Sequence, residues 1–466
     1  MLRHMSSMKK ILPVLTCLAM LAGGRPCMRK MQVRRLQRRR LQKRPAAPLQ
    51  RRQPLPHRRR SIPAIRPGCW SRRPWCWAMT APGVALFYGG MVRGKNALSV
   101  ILQSFIILCL ISVQWVLWGY SLAFGPDVGP YHRFACMVRA QRGWIRTQSR
   151  LCRHHTAPGI HALPDDVRSD HAGADYRCIC RPDEVQRVYL VHAAVGDFHL
   201  RSTRALGVGV GGWVRNLGAL DFAGGTVVHI SSGISGLACA LVIKKRLGHG
   251  KEGMHPHNLP MTILGASLLW FGWFGFNAGS ALASGALATS AFTATNTATA
   301  ASALAWMVAE WIYRGKPSAL GAASGAVAGL VAITPASGFV GPISSIWIGI
   351  GAGVICYIAV MLKPLFGYDD ALDAFGVHGI GGTWGALATG LFASKAINSA
   401  GADGLFFGNP AQLGIQAMAV LISWVFCFVG TLIILAIVAG ITGLRVTEEE
   451  ERLGLDLSQH DEKAYS

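Results

Sequence analysis

The sequence predicts an all-α polytopic membrane protein, and three observations carry that prediction. Uncharged apolar runs of about 18 residues or more recur along the chain, the length at which a helix crosses a bilayer. Hydrophobic residues make up 51% of the 466 positions and charged ones only 15%, too little charge to solvate a globule of such apolar content. The third is an internal echo. Asp221 is followed after seven residues by His229 and after six more by Gly236; Asp370, His378 and Gly385 repeat that spacing, with Val before the histidine both times. An ionisable residue in an apolar helix is a functional candidate, because burying it in lipid is costly. Two in matching positions point to an internal repeat with its site between the halves.

In chain order, Met8 to Gly24 has a basic start, an apolar centre too short to span and small residues at its end, so residues 1–24 are expected to be a signal peptide and the mature N-terminus to be exported. Residues 25–76 are rich in Arg, Gln and Pro and lack the periodicity of a core. A short first span follows over 77–92, and Leu98 to Phe124 runs 27 residues without a charge. Residues 133–205 show no span. The run 222–243 carries His229, and further spans are expected at 259–278, 285–313, 318–334, 343–362, 371–392 and 413–443. About nine are therefore legible in a membrane domain over 77–443, ahead of a charged tail at 444–466.

The net charge of +25 would suggest nucleic acid, but its distribution argues against that. Blocks 25–76 and 133–205 hold 28 Arg of the 47 basic residues, and 7 of the 12 Cys. Of the remaining cations, Arg93 and Lys95, Lys244 to Arg246 with Lys251, Arg314 and Lys316, Lys363, and Arg445 with Arg452 mark one side of the membrane, while the 393–412 loop carries only Lys395. The loops at 279–284 and 335–342 carry none, so the tail is expected in the cytoplasm and His229 on a helix running inward. His378 lies on the fifth span after the 244–257 loop, whereas His229 lies on only the third legible one. Two spans are missing, and 125–221 is long enough for them. Block 133–205 holds 12 Arg and no Lys, a bias that GC-rich coding DNA gives in a wrong frame. Both blocks therefore read as out-of-frame translations. Cys178-Ile-Cys180 with His154 and His155 lacks the spacing of paired zinc ligands, and no metal site is expected.

Six stretches resemble the ammonium transporters, relatives of the Rhesus glycoproteins: Ala81 to Asn96, Ala219 to His229, Pro256 to Pro260, Trp273-Phe-Gly-Phe276-Asn-Ala-Gly-Ser280, Phe375-Gly-Val-His378-Gly, and Gly443 to Val446 with its acidic sequel. The resemblance implies eleven helices in two inverted five-helix repeats, a homotrimer with one pore per subunit, ammonium or methylammonium as substrate, and a bacterial cytoplasmic membrane with the N-terminus outside. It implies transport rather than enzymatic catalysis, and no cofactor. By carry-over, His229 and His378 lie side by side in the pore, Phe276 gates it from outside, Ser280 belongs to the outer recruitment site, and Trp273 is a pore-side tryptophan. Asp221 and Asp370 are read as structural acids at helix starts. The tail is expected to dock on the inner face of the pore and on a nitrogen-signalling regulator of the PII type.

Ammonium and potassium are alike in size, so ringed carbonyls would separate them poorly. A narrow apolar pore imposes a desolvation cost on any ion, and only ammonium can shed a proton and cross as a neutral molecule. Burial and a neighbouring imidazole both disfavour charged histidine, and two neutral imidazoles can relay a proton. Two departures stand out: the family's third helix, with its second gating phenylalanine, is missing, and Gly209 occupies the place of its ammonium-binding tryptophan, Trp213 being near but unaligned. The alternatives are an ammonium sensor, a defective transporter product, and a membrane redox protein with His229 and His378 as haem ligands.

Overall fold

Helices follow the apolar runs and stop where the sequence changes character. The computed structural model describes residues 79–114, 117 and 212–465, all within the unit Pro67–Ser466. The expected signal peptide, both Arg-rich blocks and Gly209 lie outside those residues.

A wide π-type turn, Met79–Val84, leads into α1 (Ala85–Met91), and α2 (Ala97–Gln114) returns. The expected extension of α2 to Phe124 lies outside the described residues, apart from Leu117. After a single helical turn, Trp213–Asn216, a second π-type turn, Gly225–Ile230, feeds α3 (Ser231–Ile243). Then come α4 (Leu259–Gly279), α5 (Ala286–Arg314), α6 (Ala319–Ile333) and α7 (Pro342–Phe366). A third π-type turn, Phe375–Gly379, feeds α8 (Ile380–Phe392), and α9 (Ala411–Thr442) is the longest helix described. The tail forms α10 (Glu448–Leu453) and α11 (Leu455–His460).

Local chemistry sets the ends. The Asn258 side chain accepts from Met261 N at 3.0 Å, with Pro260 in the first turn of α4. Ser318 caps α6 by accepting from Gly321 N at 2.9 Å, and Thr447 and Glu450 form a reciprocal capping box on α10. Gly315 and Gly367 close α5 and α7 in the left-handed conformation. Among the described helices, five are long and apolar enough to span a membrane by composition. Alanine and threonine dilute the hydropathy of the long α5, and α6 has only 15 residues. These two pack with α7 at very short range: a Cβ on Gly349 of α7 would sit 2.2 Å from the Ala298 carbonyl of α5.

The connections gather at two ends. At one, Phe222 N donates to Pro335 O, Ser394 N to Phe339 O, and Gln416 bonds Leu220 N and O. At the other meet the loops bearing Lys95, Arg246, His257 and Asp369, together with the tail. There Asp456 accepts from Leu98 N and Ser99 N at the start of α2, and the Asn96 side chain accepts from Leu455 N. Glu451 accepts from Leu247 N and Arg445, while Lys95 donates to the carbonyls of Glu451 and Arg452. Asp456 and Glu451 are buried, so the acidic tail is packed against this end of the bundle.

Candidate functional site

Both histidines sit in the π-type turns that open their helices. Such a turn widens the backbone by one residue and is often found at functional sites. An acid precedes each. The Asp221 carboxylate accepts from the N–H groups of Gly224, Gly225 and Thr226 at 2.9, 2.5 and 2.8 Å, and also from the Thr226 hydroxyl. Asp370 accepts from Phe375 N at 2.8 Å and Leu372 N at 3.4 Å. Each acid thus serves amides at a helix start that have no intrahelical partner. Burial raises the pKa of the wholly enclosed Asp370 carboxyl above its ordinary value, Lys363 opposing the shift.

The two helices then cross at glycines four residues beyond the histidines. A Cβ on Gly233 would lie 2.1 Å from Gly379 N, and one on Gly382 would lie 3.1 Å from His229 Cβ. Only the absence of a side chain permits this approach, and it brings the imidazoles together with their ring planes tilted by 48°. His229 Nδ1 lies 3.4 Å from His378 Nδ1. Both rings are buried, 3% and 1% exposed, deep inside a chain of membrane helices.

Four further side chains complete the cluster. Trp273 stacks on His229 with ring centroids 5.3 Å apart, and Phe276, on the next turn of α4, lies 6.3 Å from it. His229 Nε2 is 3.2 Å from the Thr334 hydroxyl, which also accepts from Trp273 Nε1 at 2.9 Å. Tyr88 OH is 3.5 Å from His378 Nε2. Hydrogen-bonding groups therefore run from Tyr88 through both imidazoles to Thr334. Ser280, at the end of α4, donates to Phe276 O at 2.9 Å and is half-buried.

Sequence reasoning placed His229, His378, Trp273 and Phe276, and they come together. Asp221 and Asp370 lie apart from the imidazole contact, with their oxygens turned to backbone amides. Trp213 is 55% exposed on its helical turn. Thr334 and Tyr88 were missed: Tyr88 lies in the first motif but has no counterpart in the repeat, and Thr334 is one threonine at a helix end.

Comparison with known proteins agrees with this architecture. The model of the Ammonium Transporter Family matches residues 75–150 and 186–465. The chain is 47% identical over 405 residues to an ammonium transporter of Bacillus subtilis, covering 83% of this chain and 95% of that one. It is 42% identical over 388 residues to the ammonium transporter Amt1 of Archaeoglobus fulgidus, covering 83% and 96%. The crystal structure of Saccharomyces cerevisiae Mep2 superposes with a TM-score of 0.72 at 28% identity, covering 82% of this chain and 89% of that one. A structure described as a sensor Amt protein gives 0.73 at 27% identity, covering 84% and 96%. With the family model matching most of the sequence and its helices laid out as in these solved relatives, this chain belongs to the Ammonium Transporter Family.

Proposed function

We propose that the chain moves ammonium across a bacterial cytoplasmic membrane by way of a narrow apolar pore in which His229 and His378 relay a proton. The observation that carries this reading is the 3.4 Å Nδ1–Nδ1 contact between two buried imidazoles. Neutral imidazole has one donor and one acceptor nitrogen. Across that contact one ring donates and the other accepts, so their outer Nε2 atoms have opposite roles. A proton received at one Nε2 passes one proton between the Nδ1 atoms and releases another from the far Nε2, while the nitrogen that lost it crosses as neutral ammonia. Potassium has no proton to surrender, and it would meet the apolar pore as a bare ion.

Phe276, beside His229, is the outer gate in this reading; Ser280 belongs to the recruitment site beyond it, and the Trp273 face walls the pore. The end bearing Lys95, Arg246 and the tail lies in the cytoplasm by its excess of cations. The working unit is a homotrimer embedded in the bilayer, and a PII-type regulator would bind at that cytoplasmic end. Uptake of labelled methylammonium into liposomes tests the reading. His378→Asp shortens the side chain and replaces a two-nitrogen relay with a carboxylate, so uptake should fall to the protein-free level; undiminished uptake would refute the relay.

One observation favours a second reading, an ammonium sensor: the likeness to the solved sensor Amt protein. Ligand binding retained without flux in the same liposomes would select it over transport.

A further inference from the structure

We infer that Thr334 is a positioning residue that fixes the resting direction of the histidine pair, with His229 protonated on Nε2 and His378 on Nδ1. The inference deepens the relay reading. Thr334 is wholly buried and has one proton to give. The peptide N–H of Thr334 turns to Val331 O at 3.2 Å. The Leu330 carbonyl, one of the last of α6, belongs to the turn whose carbonyls lack an intrahelical donor. The Thr334 hydroxyl fills that vacancy, with Oγ1 2.8 Å from Leu330 O. A carbonyl can only accept, so the hydroxyl proton is committed to it. What Oγ1 offers elsewhere is lone pairs. Trp273 Nε1–H, a group that can only donate, takes one at 2.9 Å.

His229 Nε2, 3.2 Å from the same oxygen, therefore faces an acceptor and must carry hydrogen. In a neutral ring that leaves Nδ1 bare. His378 Nδ1, 3.4 Å away, is then the donor across the pair. His378 Nε2 is bare in turn and accepts from the Tyr88 hydroxyl at 3.5 Å. The direction of the whole chain follows from the Leu330 carbonyl that the Thr334 hydroxyl serves.

The direction matters for turnover. At rest His378 Nε2 is the proton acceptor and His229 Nε2 the donor. A proton given up by ammonium to His378 Nε2 shifts the Nδ1 proton to His229, and the His229 Nε2 proton leaves on the far side of the pair. Protons balance, but the pair is now reversed, with the bare His229 Nε2 facing an Oγ1 lone pair. In that state His229 can take a proton from ammonium. Thr334 disfavours it and so drives the return to rest.

The test is nitrogen NMR of the full chain in liposomes with labelled histidine, since protonated and bare ring nitrogens have well-separated shifts. Signals are assigned by their loss in His229→Gln and His378→Gln. The wild type should show His229 as the Nε2–H form and His378 as the Nδ1–H form. The opposite assignment, or an even mixture, overturns the inference. Thr334→Val removes the accepting oxygen and should lower the ratio of resting to reversed forms about five- to tenfold, the factor one ordinary hydrogen bond supplies; Thr334→Ser should retain it. An unchanged ratio in Thr334→Val overturns the inference, and if that variant does not fold, the wild-type spectrum decides. Methylammonium uptake by the same liposomes reports separately on transport: expected tautomers without uptake would leave Thr334 in its role and remove the transport reading.

Discussion

Asp221 and Asp370 stand the same distance ahead of the two histidines, and each carboxylate gathers amides at a helix start. An acid is the residue type a helix N-terminus favours. Asp221→Ala would strand several N–H groups at once and is expected to cost about 2–4 kcal/mol, several times a single cap, since more than one donor loses its partner. Thermal unfolding of the solubilised protein reads this out; an unchanged midpoint would show that these amides find other partners. Gly233 shows its role only where the two histidine helices cross, against the backbone of Gly379. Gly233→Ala would place a methyl 2.1 Å from Gly379 N and push the histidine helices apart. Methylammonium uptake should fall at least tenfold, as reacting groups lose alignment when displaced by an ångström; wild-type uptake would show that the crossing is not needed. Thr334 and Tyr88 escaped the sequence reading because their meaning arises only when α6 and α1 meet the histidines, at sequence separations of 105 and 290 residues.

Helices were legible to within a few residues where an apolar run ended in a cap, a Gly or a cation, as for α4, α5 and α9. The turn ahead of α8 was not: hydropathy extends that span back to Ala371, but Asp370 to Asp373 form the turn that Asp370 organises. The tail shows the same limit. Its charges are partnered by backbone at the ends of other elements, which periodicity cannot reveal. Asp456 acts as an N-cap supplied in space to α2, and Tyr465 OH reaches His257 Nε2 at 2.9 Å. Asp456→Ala should loosen the tail, so that limited proteolysis removes it at least several-fold faster while the helices stay protected; an unchanged rate would show that Lys95 and Asn96 suffice. The loop before α4 is tied through Asp369, which pairs with Arg246 at 2.8 Å and His249 at 3.1 Å. Burial lowers the His249 pKa below the ordinary value of 6.5; Asp369 opposes the shift, and Arg246, Lys245 and Lys363 add to it. Between that lowered value and the ordinary one, the unfolded chain binds more protons than the folded loop. Stability from this group therefore rises with pH across that window and is lost as pH falls through it. His249→Gln should flatten the dependence of the unfolding midpoint over the acidic side of 6.5; an unaltered slope would assign it to other groups.

At the scale of the molecule, two halves each present an acid, a widened turn and a histidine, and the two histidines meet where the halves cross. Repeat spacing and loop charge made that plan legible without any contact being known. They also mark what is out of place. Between the two segments that match the family lie residues 151–185, inside the second Arg-rich block. Translation of the gene in all three forward frames across 25–76 and 133–205 should reveal apolar spans in another frame; their absence from every frame would make the blocks true coding sequence. The central claim is that selection rests on removing a proton at the His229–His378 pair. Its most direct test is to pulse liposomes holding the full chain with equal concentrations of ammonium and then potassium, while recording uptake and internal pH. The account predicts a response to ammonium and none to potassium; an equal response to potassium would mean that the pore selects by size and charge, and would contradict it.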